Sequence, residues 1–338
     1  MAVTLTAIAQ QVGVHVSLVS RVLRNDPSAK LSPAKREQIL AVAKAAGYRP
    51  NRLGRSLRTG RTSVLGMLTP DITNSFHSLL FRGVERAATE AGYDTILCNT
   101  DENPERFKEV VSVLSEGHVD GLLVASAKEN DQSISWLFDN GLPFIVVNRR
   151  SEKARVPWIG PDDFQTGWLG TEHLLSLGHR RIAFVLMDTE IINTKLRVDG
   201  VKAALATFGC APESCWIKTD LQTRAEGKRY MLSLFRLPPE KRPTAIFAPH
   251  TVMTEAMMYA AWEAGLRVPE DLSVIGYSGF EDHDITTVHV PILEIGRLAA
   301  EHLIDHLGSR TSEPLVYDRT LPVSFVDRGS TASPPGRS

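Results

Sequence analysis

Ser17, Ser20, Arg21 and Arg24 recur at i, i+3, i+4 and i+7 and so share one face of any helix that holds them. That face is wholly polar and basic. A guanidinium carries forked donors that match guanine O6 and N7, a hydroxyl can give or accept a hydrogen bond, and a cation beside a phosphate releases condensed counterions. Other reactive patterns are thin. Neither a GxSxG nor a GxGxxG motif occurs, and Gly54 to Thr62 has five residues between glycines and Arg where a phosphate loop needs Lys. His302 and His306 lie four apart without a third ligand of metal-site spacing, and Cys98, Cys210 and Cys215 lack CxxC spacing. Enzyme chemistry, cofactors, structural metal and a disulfide framework therefore find no support.

The basic face needs a helix to present it, and the first fifty residues supply three. Leu5, Ile8, Ala9 and Val12 make one apolar stripe, with Thr4 to cap it and Gly13 to end it. After the Gly13-Val14 turn, a second helix turns Val19, Val22 and Leu23 inward and the basic face outward. A third begins at Ser32-Pro33, buries Ile39, Val42, Ala43 and Ala46, and stops at Gly47. Three short helices with a tight turn between the first two read as a helix-turn-helix head.

Charge separates this head from the rest. Residues 1 to 61 hold eleven Lys and Arg against Asp26 and Glu37, a balance of +9, and the remainder holds 27 basic and 37 acidic residues. A basic head on an acidic body is the footprint of a nucleic-acid binder. The 338 residues exceed what one core usually fills. No signal peptide or apolar run of spanning length is evident, so a cytoplasmic location is expected.

The stretches TLTAIAQQVGVHVSLVSRVL and GYRPNRLGRSLRTGRTSVLGMLTPDITNSF resemble the lactose-repressor (LacI) family of bacterial regulators. VDGLLVAS, TEHLLSLGHRRIAFV, PTAIFA, AGLRVPEDLSVIGY and LPVSF follow in that family's order and spacing. The resemblance implies that Val16, Ser17 and Arg21 read base edges, with His15, Leu18, Ser20 and Arg24 near phosphates. It further implies a hinge segment over 50–61, whose Arg52 and Arg55 meet the DNA and whose Leu57 wedges into the minor groove. Three residues depart from the family pattern: Ala7 replaces an acidic capping residue, Leu18 a short hydroxyl, and Gly54 an alanine. The last raises the cost of a hinge helix by about 1 kcal/mol.

From residue 62, β-branched runs alternate with amphipathic helices. The expected strands are 64–68, 95–98, 121–125, 144–147, 182–186, 245–248 and 273–277, a βαβα rhythm that indicates doubly wound parallel sheets. The fold class is thus an all-α helix-turn-helix head plus an α/β domain, which the resemblance makes two-lobed and periplasmic-binding-protein-like. The expected domains are a head over 1–49, a hinge helix over 50–61 and a body over 62–328. Within the body, lobe one takes 62–160 plus 292–320 and lobe two takes 161–290 plus 321–328; a disordered tail covers 329–338.

Ligands in such folds sit at the carboxyl ends of strands. The candidates there are Asp71, Phe76, His77, Ser126, Asn148 and Arg149 on one lobe and Arg197, His250, Thr251 and Ser278 on the other, with Asn99 after the second strand. By resemblance, Arg197 clamps the effector. His250-Thr251 and Ser278-Gly279 stand where many sugar-binding members carry Asn-Asp and Asp-Asp. A pocket with Arg149, Arg197, His250 and few acids suits an anion, so a sugar acid, organic acid or phosphorylated sugar is expected ahead of a neutral sugar or nucleoside. The whole reads as a homodimeric, sequence-specific repressor of operator DNA controlled by a carbohydrate-derived effector, with induction ahead of co-repression. The rival reading is a plain solute-binding protein without gene regulation.

Overall fold

The computed structural model describes residues 4–23, 26, 28–48, 60–126, 132–139, 141–150, 156–187, 191–278, 284–309 and 315–335. The chain divides into two compact units, Met1–Gly60 and Arg61–Ser338.

The first unit holds α1 (Leu5–Val12), α2 (Val16–Val22) and α3 (Pro33–Ala45). Local chemistry sets their ends. The Thr4 hydroxyl accepts from the Ala7 amide at 3.2 Å, Gly13 closes α1 at φ 70°, and the Ser32 hydroxyl caps α3 ahead of Pro33. Ile8, Val12, Val19, Val22 and Ile39 are almost wholly removed from solvent and form one small core.

The second unit runs β1 (Val64–Thr69), α4 (Ser75–Glu90), β2 (Asp94–Asn99), α5 (Pro104–Ser115), β3 (Gly121–Val124), α6 (Gln132–Asp139), β4 (Phe144–Val147) and β5 (Trp158–Pro161). There follow α7 (Asp163–Ser176), β6 (Ile182–Met187), α8 (Ile192–Thr207), β7 (Trp216–Leu221), α9 (Arg224–Phe235), β8 (Ala245–Phe247), α10 (Thr251–Glu263), β9 (Ser273–Tyr277) and β10 (Thr287–His289). The chain closes with α11 (Ile292–Ser309), β11 (Asp318–Leu321) and β12 (Ser324–Val326).

Two six-stranded sheets result, ordered β11-β5-β4-β3-β1-β2 and β12-β10-β9-β8-β6-β7. The orders are equivalent, so one topology occurs twice. All pairings are parallel except β10 with β12. The chain changes sheets after Pro161, His289 and Leu321, which makes three strand-to-strand crossings between lobes. Strand interiors such as Leu65, Met67, Ile145, Phe184 and Ile246 are fully buried, as sheets covered by helices on both faces require.

Glycines set the helix spacing beside the cleft. A methyl group on Gly167 of α7 would strike the Arg197 carbonyl of α8, and one on Gly200 of α8 would strike the Phe164 carbonyl of α7. These two backbones touch. That contact brings the first turn of α7 against the first turns of α8.

The expected disordered tail is a correction over Gly329–Pro335, which is bonded along the second lobe. Ser330 is 2% exposed; its hydroxyl donates to the Val274 carbonyl at 2.7 Å and accepts from the Thr286 amide at 2.8 Å. The Ala332 amide donates to the Ser273 hydroxyl at 3.0 Å, and its carbonyl faces His179 Nε2 at 2.9 Å. Polar anchors, invisible to a search for apolar periodicity, hold this segment.

Candidate functional site

On the head, His15 precedes α2 and its Nδ1 accepts from the Ser17 amide at 3.3 Å and lies 2.8 Å from the Ser17 hydroxyl. His15 thus caps the helix that carries the basic face. Ser17 and Arg21 are exposed, whereas Val16, Leu18 and Ser20 are half-buried and Val19 and Val22 anchor the opposite side. Arg24, Arg52, Arg55 and Leu57 lie outside the described residues.

In the body, a cavity of about 340 Å³ lies at the carboxyl ends of the strands, between the lobes. Asp71, Phe76, His77, Asn148, Arg149, Arg197, His250 and Thr251 line it, as expected from strand ends. Ser126 and Ser278 do not. Ser278 is fully buried and its hydroxyl bonds the amide and carbonyl of Val290, so it ties β9 to the crossing segment. Ser126 is buried with no partner for its hydroxyl and stands off the cavity wall. Asn99 spends its carbonyl on the Ile72 amide at 2.9 Å.

The expectation of few acids is a correction. Arg149 donates through both ends of its fork to Glu102, at 3.0 and 2.6 Å. Arg197 donates from Nε to Asp163 at 2.7 Å, from one terminal nitrogen to the Tyr277 hydroxyl at 2.8 Å, and from the other to the Pro249 carbonyl and to His250 Nδ1 at 3.1 Å. Its guanidinium carbon also sits 4.4 Å over the Tyr277 ring. Arg224 pairs with Glu255 at the wall. Each wall arginine is therefore neutralised by a carboxylate.

Burial pushes the Asp163 carboxyl up, and the adjoining guanidinium together with the Asn193 amide draws it back. The donors from Arg197 and Asn193 favour its charged form against that burial. The histidines are neutral. Burial, reinforced by Arg149, lowers His77 to about 3, and burial with Arg197 and Arg149 holds His250 well below its ordinary value. The same Arg197 terminal nitrogen lies 3.1 Å from His250 Nδ1 and 3.4 Å from its Nε2, a cation held against the ring that disfavours a second positive charge there.

Three buried polar atoms of the cavity residues have no partner: Asn148 Oδ1, Asn193 Oδ1 and His77 Nδ1. The two carboxamide oxygens come from opposite lobes, from the end of β4 and the first turn of α8. Asn193 Nδ2 donates to the Asn148 carbonyl at 3.1 Å and to Asp163, which fixes the orientation of its amide. Phe76 and Tyr277, both cavity residues, stack with ring centroids 6.0 Å apart.

Several wall residues escaped the strand-end reading. Asn193 lies one helical turn before Arg197, so an i, i+4 search from that arginine finds it. Gln222, Thr223 and Arg224 follow β7, an edge strand too polar to stand out. The Thr223-x-x-Glu226 capping box, which the structure forms, marks that boundary. Tyr277 ends β9, one residue before the chosen Ser278. Glu102 and Asp163 had no pattern to reveal them. Among the described residues, no cluster suited to a metal ion occurs, and no helix is long and apolar enough to cross a membrane.

Residues 4–51 match the model of bacterial regulatory proteins of the lacI family, and residues 62–323 match that of periplasmic binding proteins and the sugar binding domain of the LacI family. The HTH-type transcriptional regulator DegA of Bacillus subtilis is 30% identical, covering 98% of this chain and 99% of its own length. The ribose operon repressor of Escherichia coli K12 is 31% identical over 97% of this chain and 99% of its own. A LacI family transcriptional regulator from Enterococcus faecium, solved with bound ribose, superposes with a TM-score of 0.70 at 32% identity, covering 80% of this chain and 99% of that one.

Proposed function

Because the chain belongs to the LacI family of bacterial regulatory proteins, we propose that it is a homodimeric, cytoplasmic repressor whose effector is a neutral, polyhydroxylated molecule of sugar or nucleoside size. That it is a DNA-binding transcriptional regulator with a ligand-binding body follows from the family. The finer reading rests on one observation. The cavity's arginines already hold carboxylates, while its unpartnered atoms include two buried acceptors, Asn148 Oδ1 and Asn193 Oδ1. A buried acceptor without a partner costs free energy until a donor arrives, which a ligand hydroxyl supplies, and an added carboxylate or phosphate brings no donor and meets arginines that are already paired.

Phe76 and Tyr277 also line the cavity and add apolar ring surface to its wall. The names of relatives agree, since a ribose operon repressor and a ribose-bound regulator are among them. A dimer is required by the head: one small helical unit has too little contact area to specify a site, so two are needed on a near-palindromic operator. Effector binding is read as weakening operator binding, because a ligand that binds one lobe arrangement better than another shifts the balance between them.

Calorimetric titration with pentoses, hexoses and nucleosides, and with their acid and phosphate counterparts, tests the ligand class. A gel shift on fragments upstream of the gene, repeated with each binder, tests regulation. An acid or phosphate ester binding more tightly than its neutral counterpart would overturn the reading.

A further inference from the structure

We infer that Glu102 is the charge filter of the cavity: its carboxylate occupies the fork of Arg149 and thereby excludes anionic ligands. This rests on the reading of the cavity as a site for a neutral ligand.

Arg149 is the residue whose burial demands an anion. Its side chain is 9% exposed, and a guanidinium taken so far out of water needs a carboxylate or phosphate in its plane. Glu102 meets that demand with two nearly parallel bonds, at 3.0 and 2.6 Å, and keeps 39% of its own side chain in solvent. The carboxylate thus stands between Arg149 and incoming solutes. Both residues belong to the first lobe, Glu102 in the turn after β2 and Arg149 after β4, so the pair does not depend on the angle between the lobes.

The backbone supports the same assignment. Asp101 and Glu102 both have φ of 55°, and Asn148, next to Arg149, has φ of 65°. Left-handed backbone at residues other than glycine is costly and persists where surrounding contacts hold it. Here it delivers one carboxylate to one guanidinium at the cavity wall. A tethered anion competes at an effective concentration on the order of millimolar, so a free anion at lower concentration loses.

Inorganic phosphate is the probe, titrated by calorimetry into the full chain and three variants: Glu102→Ala, Glu102→Gln and the double variant Glu102→Ala with Arg149→Gln. The expected result is no saturable cavity binding by wild type, saturable binding by Glu102→Ala at least about tenfold tighter than the weakest affinity the titration could have detected, intermediate binding by Glu102→Gln, and loss of the gain in the double variant. Thermal unfolding establishes that each variant is folded. Folded Glu102→Ala and Glu102→Gln proteins as blind to phosphate as wild type would overturn the filter and leave the neutral-ligand reading standing. Phosphate binding by wild type that disappears in Arg149→Gln, titrated alongside as a single variant, would overturn that reading itself. A gain in Glu102→Ala that survives in the double variant would place the anion elsewhere and also overturn the filter.

Discussion

Asn193 reaches across the cleft: from the first turn of α8 in the second lobe, its Nδ2 donates to the backbone carbonyl of Asn148 in the first, at 3.1 Å. Asn148 presents that carbonyl from a left-handed backbone, φ 65°, which an asparagine adopts more readily than most residues. The two side-chain oxygens meanwhile stay unpartnered. One pair of residues therefore both links the lobes and offers the acceptors that a ligand would fill. Coupling requires that a ligand bind one lobe arrangement better than another, and a bond that joins the lobes is a contact able to differ between arrangements.

Asn193→Ala is expected to remove the interlobe bond and one orphaned acceptor together. Effector affinity should fall about tenfold, by the worth of one or two hydrogen bonds, and the effector's power to release operator DNA should fall more steeply. Asn148→Gly tolerates the left-handed backbone and keeps the carbonyl that Asn193 bonds but removes the whole side-chain carboxamide, so it should weaken affinity with the release intact. Paired calorimetry and gel shifts check both. Equal loss of release in the two variants would refute the coupling role.

Arg197→Ala is expected to unfold the second lobe more readily as well as to disturb the cavity. Arg197 is 3% exposed and compensates Asp163, which is equally buried. Removing one partner of a buried pair costs about 3 to 5 kcal/mol because the other charge is left alone. Urea unfolding measures this. The double change Arg197→Met with Asp163→Asn should recover much of the loss, and no recovery would refute the pairing argument.

Gly167→Ala is expected to be destabilising although alanine favours helices, because its methyl group meets the Arg197 carbonyl. Forcing α7 from α8 should cost about 1 to 3 kcal/mol and displace Arg197 from Asp163. A thermal midpoint unchanged from wild type would show that the helices can part freely.

Acid should loosen the tail. Burial lowers His179 to about 4 while its unfolded value is 6.5, so the folded chain keeps it neutral and the unfolded chain binds the proton first. Its stabilising contribution is complete above pH 6.5, falls as the pH drops from 6.5 toward 4, and amounts to a loss on the order of 3 kcal/mol. Urea midpoints measured across that range should fall with pH in wild type. His179→Gln should flatten the slope, and deletion from Asp327 onward should lower the midpoint at neutral pH.

Arg21→Ala is expected to relax base preference at one operator position and to cost about 1 to 3 kcal/mol, since its exposed side chain presents forked donors from α2. A selection from random sequences compares the two proteins. Unchanged base preference would move the reading face elsewhere.

The head's helices, seven of the twelve described strands, the two-unit division of charge and the apolar faces were legible in the chain because local periodicity and caps carry them, whereas β5, β7, β10, β11 and β12 are short or polar and went unread. Leu5, Ile8, Ala9 and Val12 announce a helix without any tertiary contact, and Thr4 and Gly13 mark its ends. Strand ends likewise pointed to Asp71, His77, Asn148, Arg149, Arg197 and His250, since a parallel sheet always presents its carboxyl edge to the cleft. Which charges meet there was a different matter. Glu102 lies 47 residues before Arg149 and Asp163 lies 34 before Arg197, and no spacing in the sequence marks either pair. Side-chain pairing depends on where α7 crosses α8 and on the turn after β2. Only the folded chain decides both, and with them the net charge that the cavity shows to a ligand.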